Sequence, residues 1–186
     1  MIYYAPVVFR EAGVDGRATQ LLATIGVGVI NVAMTIVSML LIDRVGRRQM
    51  LYLGFAGTAL SLAVIACAAA FQTPWLNAIA LAGLFVYIAA FALSVGPIPW
   101  LMMAEIFPLD VRPLGMGLAS IANWTFNAIV VAVFPIALGA FGLASVFSFF
   151  AAACLAGLLF TRYCVTETAG DTLEAIEQRL VGLAPA

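Results

Sequence analysis

Three stretches of this chain, residues 18–42, 49–104 and 113–161, carry no charged side chain. Crossing the hydrocarbon of a bilayer takes roughly 20 apolar residues as a helix, and each stretch meets or exceeds that. The second contains a turn at Gln72-Thr73-Pro74-Trp75 and the third contains Gly139-Ala140-Phe141-Gly142. Splitting them there gives five spans, 19–42, 49–71, 77–103, 114–138 and 143–163, with residues 1–9 as the stub of a sixth. The expectation is an all-α, polytopic membrane protein with a transmembrane bundle over 1–164 and a tail over 165–186.

Composition agrees with a bilayer as solvent. The chain is 65% hydrophobic and 9% charged, with a mean hydropathy of +1.14, whereas a soluble domain is about half apolar and a quarter charged. A net charge of -1 offers no electrostatic case for nucleic acid. With no histidine, a His-based triad, a His proton relay and His metal sites are excluded. Cys67, Cys154 and Cys164 lie in or at the end of apolar runs without C-x-x-C spacing, which fits small helix residues rather than redox or metal chemistry. The reading contains no catalytic residue, metal ligand or cofactor.

The N-terminus lacks a basic segment followed by an apolar core and a cleavage site, so it does not read as a signal peptide. Met1-Ile2-Tyr3-Tyr4-Ala5-Pro6 reads as the end of a helix. Short connections make neighbouring helices antiparallel, so the loops alternate sides. Arg10 and Arg17 fall on one side; Arg44, Arg47, Arg48, Arg112, Arg162 and Arg179 fall on the other. Basic loops stay in the cytoplasm, which puts the second side, and the C-terminus, inside. In the tail, Asp171 can cap a short helix with Glu174 three residues on, and Leu173, Ile176, Leu180 and Val181 share one face.

The stretch 94–112 interrupts the pattern. Ser94-Val95-Gly96-Pro97-Ile98-Pro99-Trp100 puts two prolines inside a span, and the segment ends with Glu105, Asp110 and Arg112. Proline removes a helix hydrogen bond and clashes with the preceding turn. In lipid this is tolerated where the freed backbone faces protein or a water-filled cavity. A kink in a structural helix and a break lining a substrate site both fit.

Polar side chains within spans are few and need partners. Asn31 sits midway along the first full span, near Thr24, Thr35 and Ser38. Asn123 and Asn127 are four apart and share a face, with Trp124 beside them, and Trp100 follows the proline break. A single amide commonly bonds between helices. Several amides with two indoles favour a hydroxyl-rich, uncharged solute, since these groups bind C–H faces and hydroxyls without a countercharge. At the first Arg-rich loop, Asp43-Arg44-Val45-Gly46-Arg47-Arg48 reads as a tight, topology-setting turn.

In this order, several motifs resemble the sugar porters of the major facilitator superfamily, including bacterial sugar–proton symporters and facilitative glucose carriers. They are Tyr3-Tyr4-Ala5-Pro6, residues 23–38 with Asn31, Asp43 to Arg48, Gly96 to Trp100, Glu105 to Arg112, and Asn123-Trp124. The resemblance implies helices 7–12 of a twelve-helix fold: the C-terminal half, its first helix truncated. It implies monosaccharide (hexose or pentose) binding by Asn31, Trp100, Asn123, Trp124 and Asn127. Tyr3 and Tyr4 match an aromatic outer gate on helix 7, and Gly96, Pro97 and Pro99 match the flexible break that lets helix 10 close on the substrate. Asp43, Arg44, Arg47, Arg48, Glu105, Arg112 and Glu167 match charges that latch the cytoplasmic face to the other half. The family's tail motif Pro-Glu-Thr-Lys-Gly reads Thr166-Glu167-Thr168-Ala169-Gly170 here, without the Pro and Lys.

The resemblance further implies a plasma (inner) membrane location and alternating access between two halves. Protons are the coupling ion in the symporter branch. The family's Gln-Gln pair and Asn on helix 7, and helices 1–6, have no counterpart in the chain, so the implied partner is an N-terminal six-helix half. The expectation is a truncated gene model or a split carrier. A non-transporting remnant or sugar-binding sensor is the rival reading, and an intramembrane enzyme is the remotest.

Overall fold

The computed structural model describes residues 7–8, 17–165 and 167. Tyr3, Tyr4, most of the 1–9 stub and the amphipathic helix expected after Asp171 lie outside the described residues. Five α-helices follow in order: α1 (Arg17–Val45), α2 (Arg47–Ala70), α3 (Leu76–Ala90), α4 (Ile98–Ile106) and α5 (Arg112–Cys164), with a π-helical turn over Phe91–Val95 between α3 and α4. Among the described residues four helical segments are long and apolar enough to cross a membrane: Leu21–Val45, Arg47–Ala70, Leu76–Ile106 and Arg112–Cys164.

Two glycines shape the path. Gly46 alone separates α1 from α2, with φ 93. Its N–H still donates to the Ile42 carbonyl at 3.2 Å and its own carbonyl accepts from Met50 N–H at 3.2 Å. The 53 residues of α5 would reach about 80 Å if straight, against a hydrocarbon core of about 30 Å. Gly142, at φ 74 and ψ 172, bends α5 into two arms, in a region essentially closed to other residues. Gly139, Ala140 and Phe141 stay helical up to that bend.

The α3–α4 segment is the hub. On one side Leu84 and Ile88 of α3 pack on Ala23 and Val27 of α1. Toward the Arg-rich end, Ile98 and Met102 of α4 join Ile42, Met50 and Leu51. On the far side α2 packs on the second arm of α5, where Leu62, Ile65 and Ala66 meet Val146, Phe147 and Ala151, with Val8, Ala80 and Phe134 closing the cluster. Lipid tails are as apolar as these side chains, so fit rather than hydrophobic transfer holds such helices together. Fit is close here: a Cβ on Gly57 would meet that of Ala90 at 2.8 Å, and one on Gly157 would meet the Phe55 ring at 2.5 Å. Ser61 Oγ also donates to the Gly83 carbonyl across the α2–α3 contact. The first arm of α5 is different, because residues 121–130 are all exposed.

Candidate functional site

The helix break is built from backbone chemistry. Pro97 and Pro99 bring no N–H, and just before them the chain widens into the π-turn Phe91–Val95. Gly96 N–H donates to the Phe91 carbonyl five residues back at 2.9 Å, and Leu101 N–H reaches Pro97 at 3.4 Å. The rings of Tyr87 and Phe91 stack at 6.1 Å across the start of the turn. Pro97 and Pro99 fit the first positions of α4, where a missing N–H costs nothing. Trp100, 39% exposed, leads out of the break in the first turn of α4.

The other aromatic and amide groups lie on α1 and the first arm of α5. Asn31 is half-buried midway along α1, and its backbone carbonyl accepts from Thr35 Oγ1 at 2.8 Å. Asn123, Trp124 and Asn127 share the fully exposed stretch of α5, with Trp124 58% exposed. The side-chain amides of Asn31, Asn123 and Asn127 are committed to no protein partner among the described residues. They are free to exchange hydrogen bonds with a solute. The groups stand on three separate helices, and no hydrogen bond joins them among the described residues. A cavity of about 340 Å³ in the elbow of α5 is lined by Val133, Phe134, Phe141, Val146, Phe149 and Phe150 among others. It has the room for a small solute but lacks the polar groups that a sugar needs.

Most of the charged residues described gather at the opposite end from Gly142. Arg47 Nη2 bonds Glu105 Oε1 at 3.0 Å and Arg47 Nη1 bonds Asp43 Oδ1 at 3.2 Å, so one guanidinium ties α1, α2 and α4. Glu167 Oε1 accepts from Arg47 N–H at 2.8 Å and Oε2 from Arg48 N–H at 3.1 Å. Gly46 offers the start of α2 no side-chain cap, and a carboxylate far along the chain supplies one, where the helix dipole favours it. A Cβ on Gly46 would stand 2.7 Å from Glu167 Oε2, so the cap needs glycine there for room as well. Arg48 Nη2 donates to the Arg162 carbonyl at 2.7 Å, and Arg48 lies 5.9 Å from the Tyr52 ring centre. Arg112 Nε donates to the Phe107 carbonyl at 3.0 Å, closing the corner before α5. Arg44 is exposed. Within this chain, then, Asp43, Arg47, Arg48, Glu105, Arg112 and Glu167 engage one another or nearby backbone. Sequence reasoning assigned these charges to a second half, and nothing in it pointed to a cap from Glu167; the capless Gly46 was the available signal.

A bundle of apolar helices, one of them broken at two prolines beside an indole, is the architecture found in membrane proteins of the broken-helix class. Residues 1–180 match the family model described as sugar (and other) transporter. The chain is 38% identical over 182 residues to a D-xylose transporter of Levilactobacillus brevis, covering 97% of this chain and 40% of that protein. It is 37% identical over 186 residues to facilitated glucose transporter member 3 of solute carrier family 2 from Oryctolagus cuniculus, covering 99% of this chain and 37% of that protein. Its fold is similar to the inward-open xylose transporter XylE from E. coli, with a TM-score of 0.77 at 29% identity over 94% of this chain and 41% of that one. The chain belongs to the sugar transporter family of the major facilitator superfamily. It spans about two fifths of the length of the relatives it matches.

Proposed function

We propose that this chain is the C-terminal half of a carrier that moves a monosaccharide, a hexose or pentose, across the plasma membrane by alternating access. An N-terminal six-helix half supplies the facing wall. The observation that carries the reading is the α3–α4 break with Trp100 at its mouth: a helix opened at membrane depth needs protein or a water-filled pathway beside it. Asn31, Trp100, Asn123, Trp124 and Asn127 hold the sugar, the indoles against its C–H face and the amides on its hydroxyls. Gly96, Pro97 and Pro99 keep α4 free to swing over the bound sugar, and Tyr3 and Tyr4 gate the outer side. The Arg-rich end faces the cytoplasm, and Asp43, Arg44, Arg47, Arg48, Glu105, Arg112 and Glu167 hold that end shut against the other half while the outer side is open. Protons couple the flux if the N-terminal half carries the necessary acid.

The test is uptake of D-xylose and D-glucose by proteoliposomes holding the full-length carrier that contains this chain. Saturable uptake supports the reading. Binding of either sugar without uptake identifies a sensor instead. Trp100→Ala and Asn123→Ala should weaken uptake while leaving membrane insertion intact, and wild-type kinetics in both would remove these residues from the site.

A further inference from the structure

The change of register between α3 and α4 is seated on one point of α2. A Cβ on Gly54 would overlap both Cβ and Oγ of Ser94 and stand 3.1 Å from Val95 Cγ2. Ser94 is fully buried, and its hydroxyl has no hydrogen-bond partner. Ser38, in α1, is the other fully buried serine without a partner among the described residues. Thr58, Ser120 and Thr161 each donate to the carbonyl four residues back, Gly54, Met116 and Gly157, at 2.8, 2.7 and 2.9 Å. For Ser94 that carbonyl belongs to Ala90, the last residue before the π-turn. A π-turn inserts a residue into the helical ladder and shifts such carbonyls out of line. A buried hydroxyl left unpaired is costly, and an α register would bring the Ala90 carbonyl within its reach, as at Thr58, Ser120 and Thr161.

We propose that Gly54 and Ser94 are positioning residues for the α3–α4 hinge, forming a register switch and its fulcrum. In the π register seen here the Ser94 hydroxyl is unsatisfied. In an α register it donates to the Ala90 carbonyl, and α4 with Trp100 rotates by about 100° relative to α3 for the one residue shifted. Gly54, without a Cβ, leaves room beside Ser94 and Val95 for the turn to make that change against α2. The proposal rests on the reading of this break as the moving part of the carrier.

The test uses the intact carrier containing this chain, in proteoliposomes, with D-xylose and D-glucose as probes. Gly54→Ala should lower turnover about tenfold while equilibrium sugar binding stays within about threefold. Adding Ser94→Gly, which deletes both atoms that the new methyl strikes, should bring turnover back to that of Ser94→Gly alone. Unchanged turnover, an equal loss of binding and turnover, or no rescue would each overturn the proposal. Ser94→Ala covers the case in which Gly54→Ala does not fold. Spin labels at Asn77 and Leu109 of a cysteine-free carrier bracket the hinge. Ser94→Ala removes the group that only the α register satisfies, so the label distances should shift towards the π-register population; an unchanged distribution overturns the switch. If the wild type neither binds nor moves either sugar, the sugar reading fails, and the label distances still decide the hinge.

Discussion

Two arms of one helix, α5, have opposite surroundings. The second arm is pressed against α2, with Phe147 fully buried and Gly157 admitting the Phe55 ring. On the first arm, residues 121–130 are exposed on every side, and Cβ atoms added at Gly117 and Gly139 would meet nothing within 4 Å. Both arms are comparably apolar, so hydropathy does not separate them; partner contacts do. The packed arm holds the bundle together, and the open arm, carrying Asn123, Trp124 and Asn127, makes no such contacts among the described residues.

The largest expected effect is on the packed arm. Phe147→Ala should destabilise the solubilised carrier by about 4 kcal/mol through the cavity it leaves, whereas Trp124→Ala should stay within about 0.5 kcal/mol. Thermal unfolding followed by size-exclusion recovery measures both. Equal losses would dissolve the distinction between the arms. Next is Arg47→Ala, which leaves Glu105, 15% exposed in its side chain, without its guanidinium. A loss of about 3 kcal/mol is expected for breaking such a sheltered pair. Most of it should return in the double variant with Glu105→Gln, and additive losses in the two single variants would mean that the pair contributes nothing. Gly157→Ala should cost about 2 kcal/mol by overpacking Phe55. Its counterpart Gly117→Ala, in open space, should gain up to about 1 kcal/mol from helix propensity. A loss at Gly117 as large as that at Gly157 would show that the first arm is packed by part of the carrier. Smallest is Glu167→Gln, which keeps an acceptor on the α2 N-terminus but drops the charge, at about 0.5 kcal/mol. Salt titration checks it: the difference from wild type should shrink as ionic strength rises.

The sequence was legible where solvent dictates pattern. Charge-free runs mark helices because lipid excludes charge, and Pro97 and Pro99 mark a break because they lack N–H groups. The π register at Phe91–Val95 was not legible: prolines show that the ladder is interrupted, not how the carbonyls before them are redistributed. Nor was the bend of α5. Gly139-Ala140-Phe141-Gly142 reads as a turn of four residues, yet Gly142 alone departs from helical geometry, because one glycine at positive φ can redirect the chain without a longer loop. The site residues follow the same division. Trp100 and the Asn123–Asn127 pair stand out as polar or aromatic groups in apolar runs, while the cap from Glu167 joins residues about 120 positions apart and leaves no local trace.

That cap has a mechanical consequence. The carboxylate of Glu167 holds the chain leaving α5 to the first turn of α2, and Arg47 holds α2 to α1 and α4. Four helix ends are thereby clamped at one end of the bundle, while among the described residues the other end is joined by the elbow at Gly142 and the turn before α3. A body clamped at its foot behaves as a cantilever: a force on the foot tilts the whole of it, and bending falls to the parts above the clamp, the α3–α4 break among them.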